Sequence, residues 1–288
     1  MYTKRNLENK KNPLQKVITY FVLIIVVATV MLPFIWVLLS SFKSETEIMM
    51  NKLSFLPKQF SLRNYLGLIA EHSSSKNFSL NLFNSLKVSL GTTICTVLIA
   101  TLAGYSLSRY HNCVFEFIAK TIIFIYVFPT IVIIIPIFQL FSSFSLIDSF
   151  WGLILIETAF SLPFCIWLLR SFFDAIPLTL EEAAMIDGAN AFRSFFITTL
   201  PLSASGISAA AIYTFITSWG EYIFSSILLI SDDKKTVPLG LATYMTDQYI
   251  EWGKLLAGGV IIIIPVLLLF YPLSRYFIRG FMAGAIEK

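Results

Sequence analysis

Glu157, Tyr213, Thr217 and Glu221 are polar side chains set in otherwise apolar runs. Tyr213, Thr217 and Glu221 recur every four residues, so in a helix they share one face, with Trp219 off that stripe. Carboxyl, hydroxyl and aromatic groups in such a setting can line a path for a hydroxyl-bearing solute, or hydrogen-bond one helix to the next. They suit binding rather than bond-making. No nucleophile–base pair or metal cluster stands out, and the chain has no G-x-x-x-x-G-K-[ST] loop to cradle a phosphate. Cys95, Cys113 and Cys165 have a spacing that suits neither zinc nor a redox pair, and they read as small packing residues. The chain is therefore expected not to be an enzyme, and to bind no cofactor or metal of its own.

A second constellation lies at 173–201, FDAIPLTLEEAAMIDGANAFRSFFITTLP. Two short helices are the natural parse. Pro177 fixes φ near the start of the first, and Thr179 with Glu182 has the spacing of a capping box. Glu181, Glu182, Ala183, Ala184 and Met185 are mostly good helix formers. Gly188, which tolerates a left-handed cap, ends that helix after Asp187. A second helix through Phe192, Phe195 and Phe196 leads to Pro201, which opens the next apolar segment. The product is a hairpin, over about 178–199, with an acidic, small-residue face that a partner surface could approach closely. An ordinary amphipathic surface helix is the plainer alternative.

The elements that must position these groups follow from composition. Of 288 residues 57% are hydrophobic and 13% charged, and the mean hydropathy is +0.78. Soluble domains are about a quarter charged, so polar surface is too scarce here and the bilayer must be the solvent. A hydrocarbon core about 30 Å thick needs roughly 20 apolar residues in a helix. Six stretches qualify, at about 17–41, 82–108, 114–141, 150–172, 202–230 and 255–278. The first is too long for a signal-peptide core and lacks a small-residue cleavage site. The sequence predicts an all-α membrane protein: a tail over 1–16, a transmembrane region over 17–280 and a tail over 281–288. Net charge is only +4, without a basic patch interleaved with aromatics, so nucleic acid is not an expected partner; membrane lipid is. The basic cluster Lys4, Arg5, Lys10, Lys11 and Lys16, with Arg109, Lys120, Arg170, Arg193, Arg275, Arg279 and Lys288, favours both termini on the cytoplasmic side.

Glu182-Ala183-Ala184, three residues, Gly188 and then Leu200-Pro201 resemble the EAA loop of ABC importer permeases. Ser41-Phe42-Lys43, Pro57, Asn64-Tyr65, Asn84-Ser85-Leu86, Ala103-Gly104-Tyr105 through Arg109, and the ending Gly280 to Ala285 extend the resemblance along nearly the whole chain. They resemble the carbohydrate-uptake type of that family, to which the maltose permease G subunit belongs. Two departures stand out: Thr198 where the family often has Ile, and Trp219-Gly220-Glu221 where it usually reads Trp-Asn-Glu.

The resemblance implies a type I ABC importer permease fold in a bacterial-type cytoplasmic (inner) membrane. It implies a homologous permease subunit, two cytoplasmic ABC ATPases that bind ATP and magnesium, and an extracytoplasmic solute-binding protein as partners. The loop would be the coupling helix, carried by Glu181, Glu182, Ala183, Ala184, Asp187 and Gly188. Glu157, Tyr213, Thr217, Trp219 and Glu221 would line the path of a sugar or oligosaccharide. Glycerol phosphate or a polyamine are alternative solutes. An ion-coupled secondary transporter, a rival class, should show inverted repeats; no convincing internal repeat is found. A membrane scaffold without transport would need no gated cavity.

Overall fold

A computed structural model describes residues 13–50, 54–73, 76–127, 129–246 and 249–286, with side chains from 14 to 274. The basic residues Lys4, Arg5, Lys10 and Lys11, Ser74 and Ser75, and the side chains of the Gly280 to Ala285 ending lie outside the described residues. The regular elements are helices: α1 (Pro13–Ser40), α2 (Glu45–Met49), α3 (Arg63–Ala70), α4 (Phe78–Arg109), α5 (Cys113–Tyr126), α6 (Ile134–Ser143), α7 (Phe150–Asp174), α8 (Leu178–Ile186), α9 (Ala191–Ser194), α10 (Leu200–Leu202), α11 (Ala204–Trp219), α12 (Ile223–Leu228), α13 (Val237–Ala242) and α14 (Trp252–Ile286). Among the described residues four segments, Leu14–Ser40, Phe78–Arg109, Phe150–Asp174 and Trp252–Ser274, are long and apolar enough to cross a bilayer, and the number is six if each of two bent helix pairs is one span.

Two expected spans are not continuous helices. The third stops at Tyr126, and a 3-10 turn, Thr130–Ile133, precedes α6. Pro129 stands at the break, where it has no amide hydrogen to donate. The fifth, expected over 202–230, is split into α11 and α12; Gly220 ends the first and Ile223 begins the second. Glu221 stabilises the restart by accepting the amides of Phe224 and Ser225 at 2.7 and 2.9 Å. On its other side α11 meets the preceding helical segment, Ala191–Leu202, at 73°.

The chain divides into two compact units, Met1–Gly67 with Glu251–Val260, and Leu68–Ile250 with Ile261–Lys288. In the first, the apolar side chains of α1 are exposed almost throughout, as suits a lipid solvent. The segment after α1 folds back on itself. Asn64 Nδ2 donates to the carbonyls of Ser41 and Lys43 at 2.8 and 2.9 Å, and Ser41 Oγ lies 2.6 Å from Tyr65 OH. Glu45 accepts the amides of Trp252 and Gly253, placing an acid at the positive end of α14.

The second unit is built on α4, α7 and α11. α4 is polar inside and apolar outside. Asn84, Ser85, Ser89, Thr92, Thr93 and Thr96 are buried, whereas Ile94, Leu98 and Leu102 are exposed. That inversion fits a membrane, where small and polar residues let helices approach and hydrogen-bond while lipid covers the aliphatic face. Gly104 marks a close approach of the two backbones: a Cβ there would lie 3.1 Å from the Arg170 amide nitrogen and 3.2 Å from the Ile166 carbonyl of α7. At the end of α7 remote from α8, Asp148 (φ 55°) ties the 144–149 turn to the segment after α12. Its carboxylate accepts the amides of Ile230 and Ser231 and pairs with Lys234 at 2.9 Å. Burial pushes that carboxyl up, but the bonds from Ser231, Lys234 and Ile230 outweigh it and hold it well below the usual carboxylate range.

Candidate functional site: a docking hairpin and a polar cavity

The hairpin forms, but its first turn is not capped as the sequence suggests. Pro177 occupies the N-cap position and makes no side-chain cap bond. Helix therefore starts at Leu178, which puts Thr179 inside the first turn, past the position from which its hydroxyl could cap. The end of α8 matches the expectation: Gly188 has φ 93° and donates its amide to the Met185 carbonyl at 3.0 Å. Beyond α9 the backbone widens into a π-turn over Phe195–Thr199, with the Leu200 amide bonded to the Phe195 carbonyl. Pro201 accounts for it, since its ring excludes an ordinary helical bond to the carbonyl four residues back.

The two adjacent acids point opposite ways. Glu181 is only 3% exposed. Its Oε1 accepts from Arg109 Nε (2.8 Å) and Thr199 Oγ1 (2.7 Å) and forms an ion pair with Arg109 Nη2 (2.7 Å), and its Oε2 accepts from Tyr105 OH (2.7 Å). Burial pushes this carboxyl up, yet the bonds from Tyr105, Thr199 and Arg109 and the Arg109 charge win and hold it below its ordinary value. Arg109 also donates to the Phe173 and Ile176 carbonyls at 3.1 and 3.3 Å, a cation at the negative end of α7. Glu182, Ala183, Asp187 and Gly188 are exposed and Ala184 half-buried. Ile186, 86% exposed, and Phe192 add apolar surface to the same hairpin. An acidic, small-residue face with apolar anchors is thus presented outward, while Glu181 fastens it from behind.

The second constellation assembles from α7, α11 and α12. Glu157, Tyr213, Thr217 and Glu221 line one cavity of about 130 Å³, together with Ser161 and Ser218 and the rings of Phe160 and Phe224. Phe160 and Tyr213 also border a neighbouring cavity of about 420 Å³ that reaches Tyr126 and Thr130. Glu157, 5% exposed, accepts from Thr92 Oγ1 of α4 at 3.0 Å and from Ser218 Oγ of α11, so it joins three helices. Trp219 is not part of this cavity. It stacks on Phe215 with ring centroids 5.5 Å apart and donates Nε1 to the Ile262 carbonyl at 3.1 Å.

The model of the family described as "Binding-protein-dependent transport system inner membrane component" matches residues 96–282, more than half of the chain. The chain belongs to this family. Its relatives include the sulfoquinovosyl glycerol transport system permease protein of Agrobacterium fabrum, 33% identical over 88% of each chain. The diacetylchitobiose uptake system permease protein of Streptomyces coelicolor is 34% identical over 94% of this chain and 87% of its own. The trehalose/maltose transport system permease protein of Thermococcus litoralis is 28% identical over 96% and 99%. The same fold appears in the crystal structure of a bacterial ABC transporter that imports the acidic polysaccharide alginate, with a TM-score of 0.76 at 20% identity over 96% of this chain and 99% of that one.

As an inner-membrane ABC importer permease, the chain is a transport component rather than an enzyme, and the ion-coupled alternative is not favoured. The sequence reading grouped Glu181 with the exposed coupling residues and missed its partners. The signal was present: Tyr105 and Arg109 are four apart, hence on one face of α4, in a motif already singled out. Thr92 and Ser218 were missed because serine and threonine in membrane helices are commonplace as packing residues.

Proposed function

We propose that this permease forms half of the translocation pathway for a sugar or oligosaccharide and couples to a cytoplasmic ABC ATPase through 178–199. It works beside a homologous permease subunit, with two ATPases that hold ATP and magnesium, and receives solute from an extracytoplasmic binding protein. Both termini and the hairpin face the cytoplasm. The observation that carries the reading is the outward display of Glu182, Ala183, Asp187 and Gly188 by a helix whose neighbouring acid is locked inside. The cavity supports the solute class. Hydroxyls of Ser161, Thr217, Ser218 and Tyr213 and the carboxyls of Glu157 and Glu221 offer hydrogen bonds, and Phe160 and Phe224 offer faces, to a polyhydroxylated solute. The saccharide names of the relatives point the same way. ATPase closure would shift the hairpin and bias the bundle between inward- and outward-facing packings.

Thiol labelling tests the orientation. In a cysteine-free background, a cysteine at Asn190 is expected to react only after the cells are opened. Labelling from outside intact cells would overturn the assignment.

A further inference from the structure

We propose that Arg109 and Glu181 are positioning residues that make α4 the lever of transport, carrying hairpin motion to the cavity wall. The inference rests on the coupling role assigned above. The hairpin is joined by the chain itself only to α7, through Pro177, and to α11, through Ser203. Neither route is a proline-free rod: α7 is continuous but carries Pro163, which removes one helical hydrogen bond, and α11 meets the preceding segment at 73°. α4 has no chain connection to the hairpin, yet it is the unbroken element, 32 residues without proline and about 48 Å long at 1.5 Å per residue.

One carboxylate links the two. Glu181 takes two hydrogen bonds from α4, one from Arg109 Nε and one from Tyr105, with an ion-pair contact to Arg109 Nη2, and a third hydrogen bond from Thr199 in the π-turn. The ring of Tyr105 lies 4.5 Å from that of Phe195. Arg109 in turn grips the Phe173 carbonyl at the end of α7 and the Ile176 carbonyl just beyond it. The ends of α4 and α7, the base of α8 and the π-turn therefore move as one body when the exposed face of α8 is displaced. Farther up α4, roughly 25 Å from Arg109 at the helical rise, Thr92 bonds the cavity carboxylate Glu157. Displacement enters at Glu182 and Ile186, crosses the Glu181–Arg109 node, and arrives at Glu157.

The test uses the whole transporter with its ATPases in lipid vesicles. A cysteine replaces Ser161 in a cysteine-free background, and its reaction rate with a small methanethiosulfonate is read with and without ATP, alongside hydrolysis. Arg109→Lys, which keeps the charge but loses the guanidinium fork, and Glu181→Gln are expected to retain the ATPase and its hydrolysis. In both, the ATP-dependent change in labelling should fall about tenfold, within the usual range of coupling between sites. An unchanged ATP response in both variants would overturn the lever. So would loss of the ATPase from both, since the node would then merely fold the hairpin. If the unmutated chain retains no ATPase, the coupling reading beneath it fails instead.

Discussion

Arg109 and Glu181 lie 72 residues apart in sequence and 2.7 Å apart in space, with side chains only 9% and 4% exposed. Removing one partner of such a buried pair leaves an uncompensated charge and typically costs about 3–5 kcal/mol. Arg109→Ala should therefore loosen the hairpin specifically. Hydrogen exchange over 178–199 should quicken by orders of magnitude while the amides of α4 between Val88 and Ala100 stay protected. Equal protection of the hairpin in the variant would show that the pair contributes little.

The pH dependence of that attachment has a definite sign. The folded-state pKa of Glu181 is lowered. Its contribution is thus fully present above the ordinary carboxylate value and is lost as pH falls through the lowered one. Protection of the hairpin, taken as exchange relative to the intrinsic amide rate at each pH, should be flat at neutral pH and fall on acidification below the usual carboxylate range. Glu181→Gln should abolish that acid step.

Gly188 isolates backbone conformation from packing. With φ at 93° and nothing within 4 Å of a Cβ built there, Gly188→Ala incurs only conformational strain, about 1–2 kcal/mol. Gly188→Pro cannot reach that φ and also deletes the bond to the Met185 carbonyl. ATPase retention should fall modestly for alanine and collapse for proline. Identical behaviour of the two would mean the left-handed cap does not shape the docking face.

In the cavity, Tyr213→Ala and Glu221→Gln should slow uptake of the solute presented by the partner binding protein roughly tenfold, a loss of about 1.4 kcal/mol, with assembly intact. Glu157→Leu should act differently. It strands the hydroxyl of Thr92, at about 1–3 kcal/mol, leaves Ser218 only its bond to Ser89, and so lowers the yield of folded protein as well. Wild-type uptake by both Tyr213→Ala and Glu221→Gln would make the cavity structural.

Much of this was legible in the chain. The apolar stretches located α4 and α7 to within a few residues, and Gly188 marked the end of α8. The breaks were harder. Proline is tolerated in membrane helices, so Pro129 and Pro163 look alike in sequence, yet only the first interrupts its helix. Thr179 and Glu182 have capping-box spacing, but Pro177 sets the helix start two residues too early for it. Which of Glu181 and Glu182 turns inward depends on Tyr105 and Arg109, more than 70 positions away, and no local pattern encodes that.

The most direct measurement is affinity purification of the tagged chain from its native membrane, with the co-purified polypeptides identified. A Walker-motif ATPase should accompany the wild-type chain and be lost from Glu182→Lys, which reverses the charge of an exposed coupling residue without touching an apolar segment. Absence of any such ATPase from the wild-type preparation, or its undiminished presence with Glu182→Lys, would contradict coupling through this hairpin.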